Sequence, residues 1–480
     1  IRTISSRTYL KQKDFAATSN LVYHAEPLAA LAASCGAEVP QAYLNRGWQY
    51  LLSNHTHDAN GGCAPDAVCQ DMEYRYRKAM DIGDIITEDA MAHIASQLSP
   101  AGQETDAMQI VVFNPLPIVR DAIVQVDLEI PRQHQAAAAR LVSEQEGHVT
   151  RQPISNEKSS SFVDSIWEVP RILESNRVKF YAEFTKLPAL GYRAYTIVPE
   201  QAEVWQNETM VTGPSSMENE QLAVTVNSNG TVDITCKTTG KRYTQLNYLR
   251  DQGETGNAWK HMAPTFDETF YSLSTTATIK VIESGPLVST IEASYNFAIP
   301  QDYADGNSRS ANLVELPVEV RYRLEKNAKK LQVTTTIDNV AKDHLLRACF
   351  PTSLNTDKSV ADSHFDVVER DIALPDSTGW VERAFGTHPL RTFVGLSDGK
   401  NGLALLPKGI FEYEAIDDQE RTLALTLIRA CRIKLAVSEE KQTELPDVGI
   451  QCPGRQSFSY DICVHAGTWE DAALLSEAAT

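Results

Sequence analysis

The sequence is short of positive charge. Its 44 lysines and arginines face 63 aspartates and glutamates, for a formal net charge of −19 at pH 7. No basic patch interrupts that excess, so a phosphate backbone would be repelled and nucleic acid is excluded as a partner. Long hydrophobic runs are absent too. Nothing approaches the roughly 18 uninterrupted apolar residues that a bilayer-spanning helix needs, so no membrane association is expected. Cysteine is sparse: the eight residues at 35, 63, 69, 236, 349, 431, 452 and 463 are scattered over 480 positions. That is too thin for a disulfide framework, and reduced thiols in a cytoplasmic protein are the expectation. An initiating Met is missing, and Ile1-Arg2-Thr3-Ile4-Ser5-Ser6-Arg7 lacks the apolar centre of a signal peptide. The text reads like the interior of a longer protein. The sequons at Asn54, Asn207 and Asn229 are taken as chance, and no fixed-period repeat or low-complexity tract occurs.

What remains is ordinary globular material. Hydrophobic residues make up 42% and charged residues 22%, and the length suggests two or three domains. Residues 18 to 97 read as helical. Leu21, Ala25, Leu28 and Leu31 recur at three- and four-residue steps, with Pro27 marking a kink or a helix start. A second series runs through Tyr43, Gly47, Tyr50 and Leu51. A third runs through Val68, Met72, Tyr76, Ala79, Ile82 and Ile86, with Pro65 fitting the first turn and Asp66 the positive end of the helix dipole. Three such helices with short connections predict a small bundle ending at Ser99-Pro100-Ala101-Gly102.

From residue 108 the period changes to two. Ile110 to Phe113 and Ile123 to Leu128 read as strands around the turn signal Asn114-Pro115-Leu116-Pro117. Asn229-Gly230, flanked by residues 221–226 and 232–235, is the strongest hairpin signal in the chain. Further strands fit residues 279–282, 287–298, 318–324, 331–338, 393–396 and 402–406, whereas the Ser-, Glu- and Gln-rich segment 142–162 reads as a surface loop. The fold class is therefore α+β. A three-helix bundle is expected over 1–103, a small β-sandwich over 104–215, and a large, mostly antiparallel β-sandwich over 216–480.

Chemistry concentrates at Asn54-His55-Thr56-His57-Asp58-Ala59-Asn60-Gly61-Gly62-Cys63. Two imidazoles and a carboxylate stand within four residues, followed by a glycine pair that favours a corner over a regular element. His55 and His57 are either metal donors or loop histidines bonded to backbone, and Asp58 serves a site or caps the turn. Cys63 and Cys69 do not meet zinc-ribbon spacing and read as buried thiols, Asp66 as a helix-start charge and Arg75 as part of a solvated face. Trp259, His261, Asp267 and Glu268 share one loop-like stretch. Aromatics beside carboxylates suit sugar rings, and a core Trp with surface acids accounts for the same residues.

Tyr9-Leu10-Lys11, Ala25-Glu26-Pro27 and Asn54-His55-Thr56-His57-Asp58 with Gly61-Gly62-Cys63 resemble, in order and spacing, the helical middle domain of glycoside hydrolase family 38, the α-mannosidases. Val112 to Pro117, Asn229-Gly230-Thr231, Leu246 to Leu249, Asp251 to Trp259 with Pro264, and Phe365 to Arg370 are similar to that family's β region. The likeness runs through essentially the whole chain. It favours the bacterial branch, since the corner reads His-Thr-His-Asp where lysosomal and Golgi enzymes carry His-His-Asp-Ala.

The resemblance implies a retaining α-mannosidase with one zinc and a β region of galactose-mutarotase-like form. On that pattern His57 is the zinc ligand, and Asp58 is a neighbouring substrate or metal-shell carboxylate. Trp259 stands where relatives carry an aromatic, usually Tyr, that reaches the active site. The nucleophile, the acid/base and the remaining zinc ligands would lie in an N-terminal catalytic domain upstream of Ile1, and a last β segment beyond the tail Val464-His465-Ala466-Gly467-Thr468-Trp469. The expectation is a C-terminal piece that is inactive alone, whose parent acts on mannose-containing oligosaccharides or glycosides and whose β region carries a homodimer contact. The rival is a non-catalytic carbohydrate-binding or scaffolding β-sandwich protein.

Overall fold

The computed structural model describes residues 3–98, 108–143, 145, 147–165, 168–203, 208–304, 308–432 and 448–479. The expected end of the bundle at 99–102 and the sequon at Asn207 lie outside the described residues.

Helices fill the start. Thr8–Ser19 (α1) continues through a π-helical turn, Asn20–Ala25, into Glu26–Ser34 (α2), where Pro27 occupies the first turn, as its missing N–H permits. Gln41–Ser53 (α3), the single turn His57–Asn60 (α4) and the long Asp66–Ser96 (α5) follow. Cys69, Met72, Tyr76, Ala79, Gly83, Ile86, Ala90 and Ile94 are buried along α5 at helical spacing. Cys69, Met72, Tyr76, Ala79 and Ile86 pack with Leu10, Ala17, Leu21, Leu44 and Leu51, and Ala90 and Ile94 with Leu28 and Ala32, to close the bundle. The π turn inserts one residue beside Gly83. A Cβ there would stand 1.7 Å from Asn20 Oδ1, so a larger residue would have to displace the Asn20 side chain.

The remainder is antiparallel sheet, and the α+β class holds. Met108–Asn114, Gly191–Glu200, Ala138–Ser143 and Gly147–His148 form one small sheet, and Arg120–Pro131, Glu168–Leu187 and Thr150–Ser165 another. Phe180, Phe184, Tyr195, Leu141 and Val126 fill the space between them. The polar segment 142–162 is mostly strand, not loop. Thr150–Ser165 pairs along Glu168–Leu187 in a long hairpin, so its backbone is satisfied by the neighbouring strand, while Ser155 and Ser160 are exposed and Ser159 and Ser161 donate to Glu129.

Beyond residue 208 a nine-stranded, a six-stranded and a five-stranded sheet share one large core. Leu222–Val226 pairs with Val232–Cys236 across Asn229-Gly230, and Gly230 takes φ +85°, as the hairpin signal requires. Helix α1 lies between this body and α5. Phe15 meets Phe411 at 6.4 Å between ring centroids, Gln12 Nε2 donates to the Ser457 carbonyl at 2.7 Å, and Ser6 bridges to Arg429 of the strand Leu423–Ala430. Among the described residues no helix is long and apolar enough to cross a membrane.

Candidate functional site

The corner between α3 and α5 is built by short-range bonds. Asn60 N–H donates to the Thr56 carbonyl, Gly61 N–H to that of His57 and Cys63 N–H to that of Asp58, which closes one helical turn and reverses the chain. Gly62 sits at φ +78°, with the Ser6 side chain 2.8 Å from where a Cβ would be. That leaves no room for another residue. The turn holds His57 and Asp58 outward, their side chains 93% and 63% exposed, with Nε2 and Oδ1 3.2 Å apart.

His55 behaves differently. Its Nε2 lies 2.7 Å from Asp14 Oδ1 on α1, and that bond raises its pKa above the usual imidazole value. It ties the corner to the bundle. Asn54 is fully buried; its amide donates to the Met72 carbonyl at 3.0 Å and its Oδ1 accepts from Arg75 at 3.3 Å. A glycan could not be attached there, and Arg75 turns inward toward the corner rather than lying on a solvated face. Cys63 and Cys69 are buried free thiols.

Two buried cations brace the turn. Arg7, itself at φ +48°, donates to the Gly62 and Ala64 carbonyls at 3.1 and 3.2 Å and to Asp66 Oδ1 at 2.6 Å. Asp66 is thus both a helix-start charge and the counter-ion of a guanidinium with no exposed surface. Lys11 Nζ donates to the Asn60 carbonyl at 2.6 Å, at the end of the turn that carries His57. Burial, helped by the Arg429 charge, pushes the Lys11 ammonium down to about 7.

A pH signature follows from Lys11. The unfolded chain keeps that proton up to its ordinary value of 10.5, whereas the folded chain gives it up near 7. Between those limits the unfolded state binds the extra proton, so stability rises with pH, by at most about 1.4 kcal/mol per unit. Below pH 7 both states are protonated and the slope vanishes. Relative to Lys11→Met, wild-type stability in urea unfolding should therefore gain steadily from pH 7 to 9 and stay level from pH 5 to 6.5. A difference that does not move with pH would refute the buried amine.

The large β body reaches the corner through residues 254–262. Trp259, 43% exposed, donates its indole N–H to Cys63 Sγ at 3.1 Å, and that sulfur lies 3.8 Å from Asp58 Oδ1. Cys63, Ala258, Cys431 and Ile450 pack together beneath it. Three sequence-selected residues, His57, Asp58 and Trp259, thus gather at one place from segments about 200 positions apart. His261 joins them in the same loop, its Nδ1 2.7 Å from Glu254 Oε2. Asp267 instead accepts from Gly253 N–H as a loop brace, and the Glu268 carbonyl accepts from Arg309.

Sequence reasoning missed what anchors that loop. Glu254 is fully buried and accepts from Gly256 and Met262 N–H at 2.6 and 3.1 Å, with Arg429 at 3.4 Å. Burial alone would push its carboxyl up; His261 and Arg429 outweigh burial and hold it below the usual range. Arg429 donates in turn to Ser5, Ser6, Asn257 and Ala258. An arginine inside the apolar run Leu423–Ala430 was the available signal, because a charge there needs partners.

An imidazole and a carboxylate, both exposed, are suitable zinc donors, but zinc takes three or four. Among the described residues no three His, Cys, Asp or Glu side chains stand close enough to hold a metal ion. The pair fits as part of a donor set that these residues do not complete.

Residues 2–94 match the α-mannosidase middle domain, and residues 217–434 the glycosyl hydrolases family 38 C-terminal domain. A putative mannosylglycerate hydrolase from Halalkalibacterium halodurans is 27% identical over 97% of this chain and 54% of its own length. An α-mannosidase from Enterococcus faecalis V583 superposes with a TM-score of 0.90 at 23% identity, over 99% of this chain and 56% of that one. A glycosyl hydrolase family 38 protein from Enterococcus faecalis gives 0.86 at 23% identity, over 99% and 58%. The chain spans little more than half the length of these relatives. With its helical bundle read as the middle domain and its large β body as the C-terminal domain, the chain belongs to glycoside hydrolase family 38.

Proposed function

We propose that these residues form one wall of a retaining, zinc-dependent glycosidase that removes terminal α-mannosyl residues. The observation that carries the reading is the meeting of His57, Asp58 and Trp259 at an exposed corner fixed from beneath by buried ion pairs. In this reading His57 is a metal ligand, Asp58 accepts from a sugar hydroxyl or shapes the metal's surroundings, and Trp259 offers an apolar face to the sugar ring. Zinc, when held, supplies Lewis-acid stabilisation of charge on oxygen. Retention needs two carboxylates about 5 Å apart, and these belong to a catalytic domain of the full-length enzyme outside the present 480 residues. The chain alone then turns nothing over. Chelator treatment of the full-length enzyme should abolish hydrolysis of an aryl α-mannoside, and zinc should restore it. A chelator-resistant rate, or chelator-sensitive turnover by the 480-residue chain alone, overturns the proposal.

The relative named as a mannosylglycerate hydrolase favours a second substrate reading. Its substrate joins a mannosyl group to a small carboxylate-bearing aglycone. Comparing kcat/KM for mannosylglycerate and for the aryl mannoside decides between the two. Binding of free sugars without turnover of either would favour a carbohydrate-binding scaffold.

A further inference from the structure

A cleft of about 870 Å³ opens where α1, the small β unit and the large β body meet. Its volume lies within the roughly 300–1,000 Å³ range of small-molecule sites. The charges in it are unevenly satisfied. Arg120, Arg391 and Lys408 all face it, and among the described residues none has an ion-pair or side-chain hydrogen-bond partner. Arg120 is the most telling of the three. Its Nε is buried and unpartnered, burial pulls its pKa below the usual guanidinium value, and the one acid whose charge reaches it, Glu325, is already paired with Arg323 at 2.9 Å. The acids of the cleft are occupied. Asp14 holds His55, Asp362 accepts from the Thr392 hydroxyl, and Asp461 lies 3.3 Å from Lys330. In a chain of net charge −19, three cations that have no ion-pair partner among the described residues share this one cavity with three acids.

The rim carries the second feature. Phe365 is fully exposed and held at φ +66°, a conformation a bulky residue adopts only at a cost. Strain of this kind gathers at ligand clamps, and an uncovered ring at the rim of a cavity is a stacking surface. Ser363 adds a hydroxyl able to meet those of a sugar nearby.

We infer that this cleft binds a saccharide bearing a carboxylate or a phosphate, the anion gripped by Arg120, Arg391 and Lys408 and the sugar ring laid against Phe365. A neutral sugar would leave the cations bare, and a bare anion would leave the ring unused. The assignment is independent of the chemistry at His57.

Calorimetry on the full-length enzyme tests it with four probes: mannose, mannose 6-phosphate, glucuronate and inorganic phosphate. At least one anionic sugar should bind tenfold or more tightly than mannose and than inorganic phosphate, and which one does so tells phosphate from carboxylate. Arg120→Gln and Arg391→Gln should each weaken it about tenfold, the size of one lost charge-assisted bond. Phe365→Ala should weaken the anionic sugars and leave inorganic phosphate unchanged, and binding should fall as salt screens the exposed cations. Equal affinity for mannose, no binding of either anionic sugar, or full retention in the Arg120→Gln/Arg391→Gln double variant overturns the inference. So does a Lys408 amine that resists acylation in ligand-free enzyme, because the cleft would then be filled by protein.

Discussion

Full-length enzyme carrying His57→Ala should lose essentially all hydrolysis of an aryl α-mannoside while unfolding at the wild-type denaturant concentration. The stability half follows from exposure: the imidazole is 93% exposed and, among the described residues, its ion-pair partner is Asp58, itself exposed. Such a surface pair contributes about 1 kcal/mol or less. The activity half follows from the assigned role. Removing a partner one step outside a metal's ligands costs about 10–100-fold, so removing a ligand should cost more, with bound zinc falling in parallel. His55→Ala provides the contrast. It breaks the Asp14 bond and loosens the corner, so its deficit should be smaller and accompanied by lower stability. If His57→Ala keeps wild-type kcat and zinc content, the corner is structural and the glycosidase assignment of this wall fails. Because zinc needs a deprotonated imidazole, metal retention by the wild type should also weaken in acid.

The corner was legible because its chemistry is local. His57 and Asp58 are adjacent, and the glycine pair behind them marks a reversal that no helix would carry. The bundle was legible for the same reason, since α5 writes its buried face at three- and four-residue steps. So were the strands bounded by turn signals, such as those around Asn229-Gly230. Fully buried strands were harder. His344–Phe350 and Leu423–Ala430 are covered on both faces, so their sequences lack the alternation that identifies a half-exposed strand. The hairpin over 150–187 failed in the opposite direction, because a polar strand on a small sheet has the composition of a loop. Least legible were Arg7, Lys11, Glu254 and Arg429. Each is buried, and each has a bonding partner far along the chain, from Gly62 for Arg7 and Asn60 for Lys11 to Ser5 for Arg429. No local pattern encodes such a pairing.

Those remote pairings make Arg429 a junction of the fold. Its side chain has no exposure. Nε meets Ser5 Oγ at 2.9 Å, Nη2 meets Ser6 Oγ and the Ala258 carbonyl at 2.6 Å each, and Nη1 meets the Asn257 carbonyl at 2.7 Å and Glu254 at 3.4 Å. One guanidinium therefore joins the segment before α1, the loop that carries Trp259 and the strand Leu423–Ala430. Arg429→Met would leave the Glu254 carboxylate buried with His261 as its remaining charge partner. Breaking a buried pair from one side costs about 3–5 kcal/mol, because the surviving charge is stranded. The double variant Arg429→Met/Glu254→Gln should cost less than the sum of the single changes, since a neutral amide does not demand a cation. Arg429→Lys keeps the charge and loses the planar fork, so it should fall between wild type and Arg429→Met. Urea unfolding of the full-length enzyme and its variants measures all four. The kinetic consequence separates this anchor from a generic core residue: where Arg429→Met remains folded, Trp259 loses its backing against Cys63, and KM should rise more than kcat falls. A cost near 1 kcal/mol with an unchanged KM would mean that the loop reaches the corner without the arginine.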